Sequence, residues 1–352
     1  MTMENTRPAP GIPVDAPSPR GRSHAQEGVI LIGLLWILTA LGVIALSFAR
    51  ESFVEVTAAR NMQSMERAGF AARAGIETAV YRLLARQYAR SAQPADSMQE
   101  PDPIEAGRLE GSFAGSVYKV EIQDESGKLN VNLVSEAQLA ALIEAAGIPQ
   151  PDSGIILESI LDWKDQDTAH RTNGAEDDYY QSLDPPYRAK NGRIDTIEEL
   201  LLVRGVTPDY FYGRYEKGPD GAPVYRIGLA RLLTVYSTRG QVNVNHAPLP
   251  VLLSIPGIPE DAARAIYEQR KIRPFRNIAE MRNSIPFPVG TWGAQLTTAQ
   301  TGVFTLTAEA REENSKARRV IRTIISLSPG AKAPYRTLYW NENVSDYESM
   351  TP

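Results

Sequence analysis

Cysteine is absent from this chain of 352 residues, which excludes a disulfide framework and any thiolate metal site and is compatible with either side of a membrane. Histidine is scarce. His24, His170 and His246 lie far apart, so a histidine-dependent catalytic cluster would have to be assembled from distant parts of the chain. No Gly-x-Ser-x-Gly elbow, Walker loop, Gly-x-Gly-x-x-Gly fingerprint or His-Glu-x-x-His motif occurs, so the chain is expected not to be an enzyme. Positive charge is not in excess either. The 37 Lys and Arg against 42 Asp and Glu leave a net charge of −5, which offers no global attraction to nucleic acid. The length suffices for a membrane rod plus one large or two medium soluble domains.

Charge is also missing, locally, from Gly28 to Ala49, a run of 22 residues. As a helix it would be about 33 Å long, against a hydrocarbon core of roughly 30 Å. A single-pass anchor explains such a run, and a signal peptide cut near Ser47-Phe48-Ala49 is a lesser alternative given the length. Arg20 and Arg22 precede the run and Arg50 closes it, so charge leaves the orientation open. Proline is absent between Pro19 and Pro94. One helix of about 60 residues is therefore permitted. Met62, Met65, Gly69, Ala72, Ile76, Val80 and Leu83 fall three or four apart and predict a buried stripe along its second half.

The remaining segments read in order. Residues 1–28, with five prolines before Gly28, are expected to be a disordered leader. Residues 29–49 form the transmembrane part of the helix and 50–92 its soluble part. Gln93–Gly107, with Pro94, Pro101 and Pro103, is a linker. Ser116–Gln123 and Lys128–Asn132 are predicted strands joined by a turn at Asp124–Gly127, and Ser135 starts a helix to Ala146 closed by Gly147. Gly127-Lys-Leu-Asn-Val-Asn132 is echoed by Gly240-Gln-Val-Asn-Val-Asn245, and each leads to a helix ending in Gly-Ile-Pro. Two similar strand-to-helix units thus flank the middle of the chain, where Ile155–Trp163 and Thr196–Val203 carry helix signals. Val303–Ala310 and Val320–Leu327 alternate as strands around a turn at Glu313–Lys316. Residues 329–352 are a tail of loop, with Tyr335, Leu338, Tyr339 and Trp340 packed back. The fold class is α+β: a long N-terminal helix on an antiparallel sheet from 108–134 and 300–328, with a large inserted helical domain from 135–299.

Two stretches could bind something. Asp162, Asp165, Asp167, Glu176, Asp177 and Asp178 put six carboxylates within 17 residues, a density that suits a hard cation such as Ca²⁺ or else a solvated acidic loop. Counted from Asp165 it is not an EF-hand, since Ala169 and His170 stand where that motif wants an oxygen ligand and glycine. Val242–Arg270 has the cadence of a DNA-gripping helix-hairpin-helix, and Glu198–Thr207 is similar. However, Pro259 replaces the second glycine, and Val242–Arg282 holds six basic residues against four acidic. No nucleic acid is expected, because nonspecific affinity needs a denser basic face. A membrane-anchored helix-hairpin-helix DNA-binding protein is the alternative function.

The apolar helix after Gly28, the Asn-Val-Asn strands, Asn173-Gly-Ala-Glu-Asp-Asp-Tyr-Tyr180 and the final strands together resemble the K subunit of the type II secretion system, a large minor pseudopilin. That resemblance implies a pilin-like fold and cleavage by prepilin peptidase between Gly28 and Val29. The leader is longer than the family's usual one, which points to a start codon further in. Most pseudopilins carry glutamate at the fifth mature position, where this chain has Gly33; a buried carboxylate needs a partner, so its loss suits a subunit with no neighbour above it. The resemblance further implies Ca²⁺ in the helical domain and a non-enzymatic role at the pseudopilus tip, initiating or capping the filament in the export of folded proteins. The implied partners are the I and J minor pseudopilins, with H and the major pseudopilin G. The implied location is the inner membrane of a Gram-negative bacterium, with the body in the periplasm.

Overall fold

The computed structural model describes residues 24–92, 107–218, 220–237, 240–313, 315–328, 332–342 and 344, with side chains in the first of these from Val29 to Tyr88. The expected leader up to residue 23, the linker at 93–106 and most of the tail beyond Asn341 lie outside the described residues. Two compact units divide the chain, residues 1–62 and 63–352. Helix α1, His24–Ala92, contributes to both. It begins inside the expected leader, because nothing after Pro19 interrupts a helix there. In the first unit it is long and apolar enough to cross a membrane, and from Val29 to Phe48 its large apolar side chains are exposed.

In the second unit α1 lies on a five-stranded antiparallel sheet. The strands are β1 (Arg108–Phe113), β2 (Ser116–Asp124), then, after a long excursion, β9 (Val303–Glu312), β10 (Arg318–Leu327) and β11 (Tyr335–Asn341), in the spatial order β1-β2-β9-β10-β11. Alternation places Leu109, Val120, Leu306, Ala308, Ile321 and Ile325 on the helix face. Ala68, Ala71, Ala72, Ile76, Ala79, Val80 and Leu83 meet them. Small residues on the helix bring it close. A Cβ at Gly75 would sit 2.7 Å from Tyr118 Cδ2 and 2.9 Å from Val120 Cγ2. Gly75→Val is therefore expected to lift the helix and cost about 1–3 kcal/mol in thermal unfolding.

Three expectations for this unit need correction. Met62 and Met65 are exposed, since the sheet runs out at Glu312, whose carboxylate pairs at 2.7 Å with Arg67, the residue before Ala68, the first buried position among the described residues of the helix. The tail segment 335–341 is the fifth strand rather than loop; β10 offers it an open edge, and its half-exposed residues do not spell a full alternation. Residues 125–134 leave the sheet altogether. After Asp124, whose side chain caps a 3₁₀ turn at Glu125–Gly127, strand β3 is only Leu129–Asn130 and pairs in parallel with β6 (Leu233–Thr234). Leu129, Val131 and Val134 are buried in the core of the helical domain.

That domain contains α2 (Glu136–Ala145), α3 (Asp152–Lys164), α4 (Asp177–Gln181), α5 (Pro208–Tyr212), the hairpin β4–β5 (Gly213–Lys217, Pro223–Ile227) and β6. It continues with β7 (Val242–Asn243), α6 (Leu249–Leu253), α7 (Glu260–Ile272), α8 (Ile278–Ser284) and β8 (Leu296–Thr297). Ser135 caps α2 through Gln138 N. Thr196–Val203 forms a 3₁₀ helix over Ile197–Leu202.

The echoed Asn-Val-Asn segments build the same frame twice. Asn130 Oδ1 accepts from Asn132 N at 2.8 Å, and Asn243 Oδ1 from Asn245 N at 3.0 Å. Asn132 clasps the backbone of Ile194 through both N–H and C=O at 2.9 Å; Asn245 clasps Phe275 in the same way at 2.8 and 2.9 Å. Val131 N donates to Thr234 O, as Val244 N does to Thr297 O. A cation at the end of each second helix completes the match: Lys164 donates to Val131 O and Arg270 to Val244 O. The repeats differ in one place. From Lys164 to Ile194 the chain takes 30 residues, and from Arg270 to Phe275 only five.

Candidate metal centre

The extra length of the first repeat carries the acidic stretch. Asp162 and Trp163 are buried on the last turn of α3, and Asp165 is its C-cap. Glu176 is the N-cap residue of α4. Between them the loop is tied down at several points. Asn173 donates to Glu158 through its side chain at 3.1 Å and through its backbone, and Arg204 donates to Gly174 O at 2.9 Å. Gly174 has no Cβ because Asp162 Oδ2 occupies that space. Below the loop Trp163, Tyr180 and Tyr187 stack edge-on or tilted, with Trp163 and Tyr180 centroids 5.1 Å apart.

The six predicted carboxylates separate into groups. Asp165, Asp167 and Glu176 each present an oxygen within 4.8 Å of the others. Asp162 stands beside them, fully buried, and is engaged by Arg171: Nη1 donates to Oδ1 at 2.5 Å and the backbone N to Oδ2 at 3.3 Å. Asp177 is turned away, accepting from Ala189 N at 2.8 Å and from Gln181 at 3.3 Å. Asp178 is exposed and pairs with His170 at 2.8 Å. Successive residues on the first turn of α4 point in different directions, so Asp177 and Asp178 do not join Glu176.

Whether the group fits a cation is decided by its unsatisfied atoms. Both carboxylate oxygens of Glu176, a residue only 2% exposed, and Oδ1 of Asp165 are buried without a hydrogen-bond partner among the described residues. Such groups are costly unless something positive meets them. Burial raises the Glu176 pKa, and the charges of Asp162, Asp165 and Asp167 raise it further. The donors are all hard oxygens on a loop, a set that suits Ca²⁺; zinc would call for imidazole or thiolate. Sequence reasoning missed Arg171, Glu158 and Gly174 as parts of this site. Of these, Arg171 had a signal, being one of two cations in the stretch.

The other predicted positions do less. Gly28, Val29 and Gly33 all lie within α1, and a Cβ at Gly33 would meet nothing within 4 Å among the described residues, so packing against these does not demand glycine there. In and just after the α6–α7 hairpin, three basic side chains are paired with acids. Arg264 pairs with Glu260 at 2.7 Å, Lys271 with Glu268 at 2.8 Å and Arg273 with Glu280 at 3.6 Å. Arg270 stacks on Tyr267, and its burial lowers its pKa to about 10. This arrangement does not favour a phosphate grip.

Comparison with known proteins points one way. The family model described as type II secretion system (T2SS), protein K, matches residues 120–213. Type II secretion system protein K of Aeromonas hydrophila is 24% identical over 283 residues, covering 76% of this chain and 82% of that protein. The Pseudomonas aeruginosa protein K is 26% identical over 272 residues, 72% of this chain and 75% of its own length. Among solved structures, a chain of the GspK-GspI-GspJ complex from enterotoxigenic Escherichia coli superposes with a TM-score of 0.56 at 17% identity, over 82% of this chain and 99% of the other.

Proposed function

We propose, since this chain belongs to the type II secretion system protein K family and is thus a minor pseudopilin, that it stands at the tip of the pseudopilus and starts or caps the filament that exports folded proteins. The observation that carries this reading is the pairing of an uncharged 22-residue run with an enlarged pilin-like body. The body holds a whole helical domain between β2 and β9. Bulk of that kind, set on a filament subunit, leaves no room for a successor above it, and Gly33 offers a successor no carboxylate.

In this reading prepilin peptidase cuts between Gly28 and Val29, residues 29–49 anchor the chain in the inner membrane, and the body stands in the periplasm. The I and J minor pseudopilins are its immediate partners, as the I and J subunits of the enterotoxigenic Escherichia coli complex are for their K subunit. H and the major pseudopilin G lie further down the filament. A non-enzymatic role follows. Calcium is held by Asp165, Asp167 and Glu176 with Asp162 beside them, and supplies the positive charge that these carboxylates lack. The second repeat closes the same frame without the acidic stretch, so the frame itself does not require these carboxylates, and a bound cation accounts for their crowding.

The test is co-expression of the full-length chain with its I and J pseudopilins and prepilin peptidase. The expected result is one complex of the three from detergent-solubilised membranes, in which this chain begins at Val29. Separate elution of this chain with both partners present would overturn the tip reading.

A further inference from the structure

Arg171 sits where the calcium reading has no need of it. Its guanidinium bridges Asp162 Oδ1 at 2.5 Å and Asp165 Oδ2 at 2.7 Å, and its backbone N completes Asp162. Asp165 is thereby divided: Oδ2 accepts from Arg171, Oδ1 is buried without a hydrogen-bond partner among the described residues, and the carboxylate groups with Asp167 and Glu176. One carboxylate thus belongs both to the Arg171 ion pair and to the candidate metal group. Asp162 is fully buried and would be an uncompensated charge without a positive partner. The guanidinium is different, since its side chain is 36% exposed and has a way out to water.

We propose that Arg171 is a resident counter-ion that competes with the metal for Asp162 and Asp165, and so sets the calcium concentration at which the loop fills. This inference rests on the calcium reading above. In the metal-free protein the guanidinium holds the end of α3 to the loop and lowers the repulsion among four crowded carboxylates. When a divalent ion enters among Asp165, Asp167 and Glu176, the same guanidinium becomes a like charge beside it. Removing one positive charge roughly 5 Å from a divalent ion is worth about a factor of ten even at the dielectric of water. Arg171 is therefore a positioning residue whose presence costs affinity.

The experiment is a calorimetric calcium titration of the full-length protein in detergent, with thermal unfolding in chelator and in saturating calcium. Arg171→Gln is expected to bind calcium about tenfold more tightly, to melt lower than wild type in chelator, and to close that gap in calcium. A purely structural arginine would not raise affinity on removal. Arg171→Lys keeps the charge but loses the fork, and its affinity is expected to stay near wild type. Unchanged or weaker binding by Arg171→Gln, or equal tightening in both variants, overturns the competition while leaving the site intact. Absence of calcium binding by wild type and both variants overturns the site reading, and the inference falls with it.

Discussion

Calcium at a hundredfold excess over its dissociation constant is expected to raise the melting temperature of the protein by roughly 5–10 °C, and Glu176→Gln is expected to remove that rise. The size follows from linkage: such an excess is worth about 2.7 kcal/mol, and a domain of a few hundred residues moves by about 2–4 °C per kcal/mol. Glu176 is the residue to change because both its oxygens are buried without a partner among the described residues. The same substitution has the opposite effect without metal. Burial and three neighbouring acids raise the pKa of this carboxyl, so ionising it in the folded state is unfavourable. The favourable contribution of the protonated form is complete below the unfolded-state value and lost as pH rises through the raised folded value. At neutral pH in chelator, Glu176→Gln is therefore expected to melt above wild type. Thermal unfolding of both proteins with and without calcium reads out both effects, and a calcium response retained by the variant would exclude Glu176 as a ligand.

The second large effect is expected where the helical domain meets the sheet. Glu125 and Lys128 are 1% and 3% exposed, and their side chains meet at 2.5 Å. Thr305 on β9 donates to the same Glu125 oxygen at 2.7 Å, and Lys128 reaches Ala230 O at 3.5 Å. Burial lowers the Lys128 pKa, and the Glu125 charge opposes that shift. Each member is tolerable only because of the other. Lys128→Met alone or Glu125→Leu alone leaves one charge buried and unpaired, at an expected cost of about 3–5 kcal/mol. The double substitution, which leaves neither charge, is expected to lose far less than the sum. A double-mutant cycle by thermal or chemical unfolding measures this coupling. Additive losses would mean that the two residues act separately.

Much of the pilin-like unit could be read from residues alone, because its signals are local. Strand alternation at Ser116–Gln123, Val303–Ala310 and Val320–Leu327 located β2, β9 and β10 to within a few residues. The two outer strands escaped. The β1–β2 turn places Ala114 and Gly115 at φ 49° and 80°, a two-residue hairpin turn that Asn-Gly would have announced and Ala-Gly does not. The edge strand β11 has an open side, and its exposed residues obscure the alternation. In the helical domain the Asn-Val-Asn echo was legible. Its meaning was not, since each asparagine clasps a backbone 30 to 62 residues away.

By itself the amino-acid sequence determined the apolar run, the proline-free helix that follows it, the strand pattern and the crowding of six acids, since each depends only on neighbours along the chain. Tertiary structure alone decided which of those acids share a site. Asp165, Asp167 and Glu176 converge because the end of α3 and the start of α4 are brought face to face over a packed aromatic floor. Asp177 and Asp178, next in sequence to Glu176, are carried away by the turn of a helix, and Arg171 is brought in by a loop. Direction around a helix and closure of a loop are properties of packing, and no count of residue types contains them.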